Sequence, residues 1–422
     1  MRRGPIIVGL ALAALFSSWV VPPLYQKALH LCPVRPGHMP VAQAVPPYAR
    51  KYGISCSQCH TAFPALNDYG REFKLNGYVR EREKKEGVLE TKDGLWTEKS
   101  FPWGAVVKSR PYDKKQTDRE FKLRPLHELE LFVAGGDAAR KYSYFMEVES
   151  EDENGYSPKF GELQLGYHPS RYANILLANR SFFAMDPYQT LANMGQLTVS
   201  KRQVFTKGQA SSALDDMKQA IAVFGEASKE GIGSLYYAAG VSADMNESGA
   251  GDKGAGDKEG EGPKDLSFRL AYDCLKGGML GTFASFGHEG GGAVDKIKYS
   301  RVGVDALAEL AGLTARTALV YSFDKNLSTN DRENNRGAYA ELFYAFKKDD
   351  RPIWVPLIRQ DWYQTNDGRR QFASLTAQLS HYFLENVRTF VEYTADTVQT
   401  GAPGTARPGK NHRWLAQLEL GF

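Results

Sequence analysis

From about residue 100 to its end, the chain alternates apolar and polar side chains with a period of two. Leu266, Phe268, Leu270 and Tyr272 share one face, and Ser267, Arg269, Ala271 and Asp273 share the other. Tyr142, Tyr144, Met146 and Val148 oppose Ser143, Glu147 and Glu149, while Ala338, Ala340, Leu342, Tyr344 and Phe346 oppose Tyr339 and Glu341. A period of two predicts strands whose two faces meet different surroundings. Runs of about 9–11 residues suit a tilted strand crossing a bilayer, whereas strands of a soluble β-sandwich are usually shorter.

The pattern continues to the last residue: Trp414, Ala416, Leu418, Leu420 and Phe422 form one face of a final strand that ends on an aromatic. Such an ending looks like the insertion signal of bacterial outer-membrane barrels. The expected fold is therefore all-β, a transmembrane antiparallel barrel over residues 101–422. A closed single-chain barrel has an even number of strands, with short turns at one end and long loops at the other. Short connections are expected near Gly135–Gly136, His168–Pro169, Lys229–Gly231, Gly277–Gly278, Glu309–Gly312, Lys348–Arg351 and Leu384–Asn386. Long ones are expected at Glu247–Pro263, Asp324–Asn335 and Gln399–Asn411. The alternation stays in phase for about 16 strands if Met185–Asp216 is one long external excursion, or 18 if two further strands lie there. Glu247–Pro263 is rich in Gly, Asp, Lys and Glu and reads as a surface loop without a core.

Composition agrees with this picture. Tyr and Phe number 22 each and Gly 41, and alternation hides a membrane face within a polar average. The formal charge of +4 gives no reason to expect nucleic acid. At the start, Arg2 and Arg3 precede an uncharged apolar run from Ile6 to Val21, too short for an ordinary spanning helix. Residues 1–44 read as an export signal ending at Ala42-Gln43-Ala44, with a retained N-terminal anchor as the alternative. Of four cysteines, Cys32 would leave with the signal and Cys274 would stand alone. Were the signal kept or cut early, those two could pair in an oxidising compartment.

The remaining two cysteines carry chemistry. Cys56-Ser57-Gln58-Cys59-His60 is the Cys-x-x-Cys-His attachment sequence of c-type haem. Two thiols at this spacing reach the two vinyl groups of one porphyrin, and the adjacent imidazole becomes an axial iron ligand. A zinc site would need more Cys or His nearby, and a bare redox pair needs no His. Residues 45–100 thus read as a small helical domain with one covalently bound haem c. Pro64 is expected to open a helix that Gly77 closes, with Leu66, Tyr69 and Phe73 on its apolar face. Arg71 and Lys74 are candidate propionate partners. The sixth iron ligand stays open: His38 and Met39 precede the cleavage site, and His127 and Met146 lie on strands, His127 with the parity of outward residues.

The inward parity is uneven in charge. Glu128, Glu130, Glu147, Glu149, Glu162, Glu341, Glu392 and Glu419 fall on one side of the closed barrel, and Arg269, Arg316 and Arg359 on the other. A water-filled lumen is polar in any case. A sharper expectation is an acidic wall, with Glu128, Glu130, Glu147 and Glu149 at its heart, that draws metal cations toward the haem.

The haem segment resembles the fused monohaem cytochrome–porin family, the outer-membrane iron oxidases of iron-oxidising bacteria. The likeness runs from Pro47-Tyr48-Ala49-Arg50 through the attachment sequence to Phe63-Pro64, Leu66, Gly70-Arg71 and Phe73-Lys74-Leu75-Asn76-Gly77-Tyr78. It implies a haem domain plugging a barrel of about 16 strands in the bacterial outer membrane. It also implies ferrous iron as electron donor and a periplasmic cytochrome as acceptor; a copper protein could serve the same role. Two other readings remain: a conduit running in the reductive direction, and a porin with an accessory haem.

Overall fold

The computed structural model describes residues 47–79, 88–90, 96–98, 102–137, 141–192, 195–200, 213–229, 232–244, 264–275, 277–289, 297–368, 370–400 and 411–422. Sixteen antiparallel strands close into one barrel. They begin with β1 (Trp103–Lys114), β2 (Lys122–Asp137), β3 (Tyr142–Glu151), β4 (Lys159–Ser170), β5 (Ala173–Asn179) and β6 (Lys218–Lys229). Then follow β7 (Gly233–Asp244), β8 (Lys264–Leu275), β9 (Gly278–Glu289), β10 (Ile297–Leu310) and β11 (Leu313–Asn326). The last are β12 (Arg332–Tyr344, continued by Phe346–Lys348), β13 (Arg351–Thr365), β14 (Arg370–Leu384), β15 (Val387–Thr400) and β16 (His412–Gly421). Each pairs with its sequence neighbour, and β16 returns to β1 with Leu420 opposite Val107. The backbones of Phe422 and Ala105 exchange hydrogen bonds of 2.9 and 2.7 Å, so the terminal residue completes the seam.

The two faces invert the rule of soluble proteins. On β8 the apolar Leu266, Phe268 and Leu270 are 41–49% exposed, while Ser267, Arg269 and Ala271 are at most 4% exposed. Exposed apolar side chains around the outside can be covered only by lipid. A strand of about 12 residues at about 3.3 Å per residue, tilted by about 45°, spans close to 28 Å, the thickness of a bilayer core. Aromatic pairs mark the margins of this band, among them Tyr344–Phe346 and Trp354–His381 near the short-turn end and Tyr112–Phe121 and Tyr363–Phe372 near the other.

Turn placement departs from expectation in three places. Gly135 and Gly136 lie within β2, and His168 and Pro169 within β4, so both turns fall a few residues later. The connection expected over Asp324–Asn335 shrinks to residues 327–331, because polar side chains there face the lumen and the ladder continues. The expected loops over 247–263 and 401–410, the signal region with Cys32, His38 and Met39, and the Cys274 side chain lie outside the described residues.

The largest correction concerns the chain between β5 and β6. Its described residues, 180–192, 195–200 and 213–217, do not run outside the barrel; they fold into the lumen. Thr190 and Leu191 are fully buried, and Leu197 is 1% exposed. Arg269 on β8 pairs with Asp186 at 3.0 Å and with Asp305 on β10 at 2.5 Å, and Thr190 donates to the same Asp305. Farther along, Arg316 on β11 donates to the Gly195 carbonyl at 2.8 Å, and Gln378 on β14 to that of Leu197 at 2.9 Å. Phe182, Phe183, Met185, Tyr188 and Leu191 pack on Phe224, Tyr236, Phe283 and Tyr339 of the wall. An apolar core thus occupies the inside of this half of the barrel. The sequence disguises it, because Phe183, Met185 and Tyr188 carry no regular period.

Candidate haem site

The N-terminal segment sits in the short-turn mouth of the barrel and is built from three short helices: α1 (Pro47–Tyr52), α2 (Cys56–Cys59) and α3 (Asp68–Leu75). Helix α3 does not start at Pro64. His60–Ala62 pairs with Ala65–Leu66 as a small two-stranded sheet, and the helix begins after Asn67, whose side chain caps the Gly70 amide at 2.9 Å. The same Asn67 donates from Nδ2 to the carbonyls of Ser57 and Gln58, and its backbone amide to that of Cys59. Gly70 then lies against the attachment turn. A Cβ there would run into the Cys59 carbonyl, 2.9 Å from its carbon. At the far end Gly77, with φ +70°, closes the helix where a Cβ would strike the His168 ring.

These contacts bring Cys56, Cys59 and His60 into one turn. Both thiols are half-buried. Burial, with Glu385 beside it, pushes the Cys56 thiol up to about 12. The His60 Nδ1 lies 3.1 Å from the Pro64 carbonyl. A carbonyl only accepts, so Nδ1 carries the proton and Nε2 keeps its lone pair. Burial lowers the imidazole to about 4, holding it in the neutral form that binds a metal. A neutral imidazole fixed by a backbone carbonyl at its other nitrogen is the arrangement of a metal-ligating histidine. With two thiols three positions apart, this donor set fits a covalently attached haem.

Aromatic rings gather on α3 nearby: Tyr48 meets Phe73 edge-on at 5.7 Å and stacks on Tyr78 at 4.9 Å, and Tyr69 stacks on Phe73 at 6.2 Å. Arg71 and Lys74 turn elsewhere than expected. Arg71 pairs with Asp68, with the Leu66 carbonyl and, at 2.6 Å, with Glu309 on β10. Lys74 donates to the Ala184 and Asp186 carbonyls of the inward segment at 2.7 and 3.0 Å. Burial, aided by the nearby Arg180, lowers this amine to about 7. Both side chains therefore dock the helix against the barrel and the inward segment. They are buried because α3 packs against a wall that the sequence does not reveal.

The barrel grips the attachment turn from the other side. The Glu385 carboxylate, in the β14–β15 turn, accepts from the Cys56 amide at 2.7 Å and the Ser57 hydroxyl at 3.1 Å. The strand candidates for a sixth ligand do not reach it. Met146 shares the outward parity of Tyr144 and Val148 and lies opposite the lipid-facing Leu163. His127 is turned inward, contrary to its expected parity, by an irregularity in the β1–β2 register around Pro125, and is 3% exposed beside Asp152. It nevertheless lies nine residues, about 30 Å of strand, from Gly136, where Lys51 of α1 makes contact.

The acidic wall is present but interleaved with cations. Lys108 pairs with Glu128 at 3.0 Å and with Glu130, Arg180 with Glu162, Arg359 with Glu341, and Arg388 with Glu419. Glu392 accepts from the Val199 and Ser200 amides. The excess remains on β3, where Glu147, Glu149 and Glu151 are only half-buried, unlike the sealed inward residues of β8 to β14. Carboxylate oxygens of Glu128, Glu149 and Glu151 lie within 4.8 Å of one another.

No family model matches the chain, and no curated protein matches it. Solved structures do. The anion-selective porin of Comamonas acidovorans superposes with a TM-score of 0.52 at 12% identity, covering 76% of this chain and 98% of its own. The outer-membrane channel DcaP of Acinetobacter baumannii gives 0.52 at 12%, covering 79% and 99%. The outer-membrane protein OmpT of Vibrio cholerae gives 0.52 at 10%, covering 77% and 99%. At such identities the likeness speaks of fold alone, and the fold is that of outer-membrane porins.

Proposed function

We propose that this chain is an outer-membrane cytochrome that oxidises extracellular ferrous iron and delivers the electrons to a periplasmic carrier, a c-type cytochrome or a copper protein. The observation that carries the reading is the attachment turn itself: two thiols and a neutral His60 held through Nδ1 on Pro64, docked in the short-turn mouth of an outer-membrane-type barrel. Cys56 and Cys59 would hold the haem and His60 would ligate its iron, giving the site a one-electron couple. The residues around it do the rest. Asn67 and Gly70 press α3 onto the turn, and Glu385 anchors the turn to the barrel. The inward segment fills the lumen from β8 to β14, so solutes are barred from that half. Along β2 and β3, Glu128, Glu130, Glu147 and Glu149 offer ferrous ions a hydrated approach of net negative charge, and the ferric product leaves the same way.

A porin with an accessory haem draws on the fold, but the buried core filling half of the lumen weighs against it. A conduit in the reductive direction shares every residue and differs only in haem potential. Stopped-flow mixing of the purified holoprotein with ferrous iron tests the reading. Rapid reduction of the haem band, followed by turnover when an oxidised periplasmic carrier is added, is expected. A haem band unmoved by ferrous iron yet reduced by a cytoplasmic-side donor and reoxidised by external acceptors would reverse the assignment. Absence of covalent haem would remove it.

A further inference from the structure

Beyond the residues that hold the haem, the barrel wall reaches the axial ligand itself. Two wall side chains converge on one carbonyl, that of Phe63. The Tyr382 hydroxyl on β14 donates to it at 3.0 Å, and Arg388 on β15 donates to it from Nη1. Two donors use both lone pairs of that oxygen. Arg388 is in turn fixed through Nε by Glu419 on β16, and its guanidinium lies 5.4 Å from the Phe63 ring. Phe63 stands 5.2 Å from the His60 ring, edge to face. The next residue, Pro64, supplies the carbonyl that holds His60 Nδ1. On either side Ala62 and Ala65 are fully buried among Phe343, Val355, Leu357 and Tyr382. The peptide preceding the carbonyl that orients His60 is thus clamped by the wall and not by the haem segment alone.

We propose that Arg388 and Tyr382 are positioning residues for the haem ligand: by fixing the Phe63–Pro64 peptide they keep the Pro64 carbonyl on His60 Nδ1, and so couple the electronic state of the iron to the docking of the segment in the barrel. This rests on His60 being the haem ligand. A hydrogen bond at Nδ1 makes the imidazole a stronger donor, which favours ferric over ferrous iron. Loosening the clamp therefore raises the midpoint potential.

The test is redox titration of the holoprotein in detergent, with the electronic spectrum recorded alongside. Tyr382→Phe deletes one donor without changing charge, and Arg388→Lys keeps the charge while breaking the fork. Each is expected to shift the reduced-to-oxidised ratio at fixed potential by about tenfold, a rise of about 59 mV for one electron. Lys51→Met, which removes a docking bond to the Gly136 carbonyl away from His60, is expected to leave the potential at the parental value. Were Arg388→Lys to fail in assembly, Tyr382→Phe alone decides. Folded, haem-loaded Tyr382→Phe with the parental potential and spectrum overturns the inference while leaving the functional reading intact. A general loss of thermal stability with unchanged potential overturns it equally. A parental protein lacking covalent haem overturns both.

Discussion

Removing the Arg269 side chain as Arg269→Met is expected to open the half of the lumen that the inward segment fills. Arg269 is 1% exposed and stands between Asp186 of the inward segment and Asp305 of β10, with its Nη2 3.0 Å from the first and 2.8 Å from the second. Without it, two carboxylates face each other across a buried contact. Stripping one partner from a buried ion cluster costs about 3–5 kcal/mol, because the remaining charges stay desolvated. Asp305 belongs to the wall and cannot leave, whereas Asp186 belongs to a segment that can. If the penalty falls on segment docking, the undocked population rises by about two to three and a half orders of magnitude, at about 1.4 kcal/mol per tenfold. Planar-bilayer recording reads this directly. The variant is expected to show discrete openings above the parental conductance. Adding Asp186→Asn and Asp305→Asn to the variant should reduce the openings, since no charge then remains uncompensated. A heat-modifiable, correctly inserted Arg269→Met barrel with the parental conductance would refute the seal.

Gly70→Ala should lower haem occupancy and destabilise the haem segment by about 1–3 kcal/mol, since the added methyl meets backbone and not a movable side chain; haem staining against total barrel checks this. Cys59→Ala should leave a folded barrel without full covalent haem, read as lost staining in a denaturing gel. Docking through Lys74 should strengthen as pH rises from about 7 toward lysine's ordinary 10.5, because in that window the released amine binds a proton that the buried one does not. Lys74→Met should flatten the thermal-stability profile there, and a parental slope in that variant would count against the assignment.

The barrel was legible because its signal is local. Alternation on β8 or β16 needs only the strand itself, and parity left 16 or 18 strands, of which the barrel has 16. The five residues Cys56–His60 could be picked out for the same reason, being contiguous. What stayed hidden depends on distant partners. The inward fold of the β5–β6 connection is set by Arg269, Arg316 and Gln378, each on another strand. The burial of Arg71 and Lys74 is set by Glu309 and by the Ala184 carbonyl. Glu385, Tyr382 and Arg388 lie more than 300 residues from the peptide groups they hold. The acidic wall was half-read: parity gives which side chains face inward, but not that Lys108 on the neighbouring strand reaches between Glu128 and Glu130.

The geometry of β3 makes the remaining carboxylates matter more than their number suggests. Tyr48 of the haem segment reaches the Tyr144 carbonyl at one end of this strand, and Glu151 marks the other. Seven residues of strand separate them, about 23 Å. An iron ion held at the outer rim would stand too far for fast electron transfer to the attachment turn, whose rate falls steeply with distance. An ion that descends to Glu147 shortens the path by about 13 Å, four residues of strand. Glu149 lies between them, and all three side chains are half-buried. Neutralising Glu128, Glu130, Glu147 and Glu149 to Gln should therefore slow ferrous oxidation at low metal concentration while leaving the haem spectrum untouched. The deficit should shrink at high salt, where screening cuts the reach of the field well below the ~8–10 Å of physiological conditions. Parental rates in the quadruple variant at every iron and salt concentration would reduce the acidic wall to plain hydration of the lumen. The proposed haem site and the core filling the other half of the barrel would be untouched by that result.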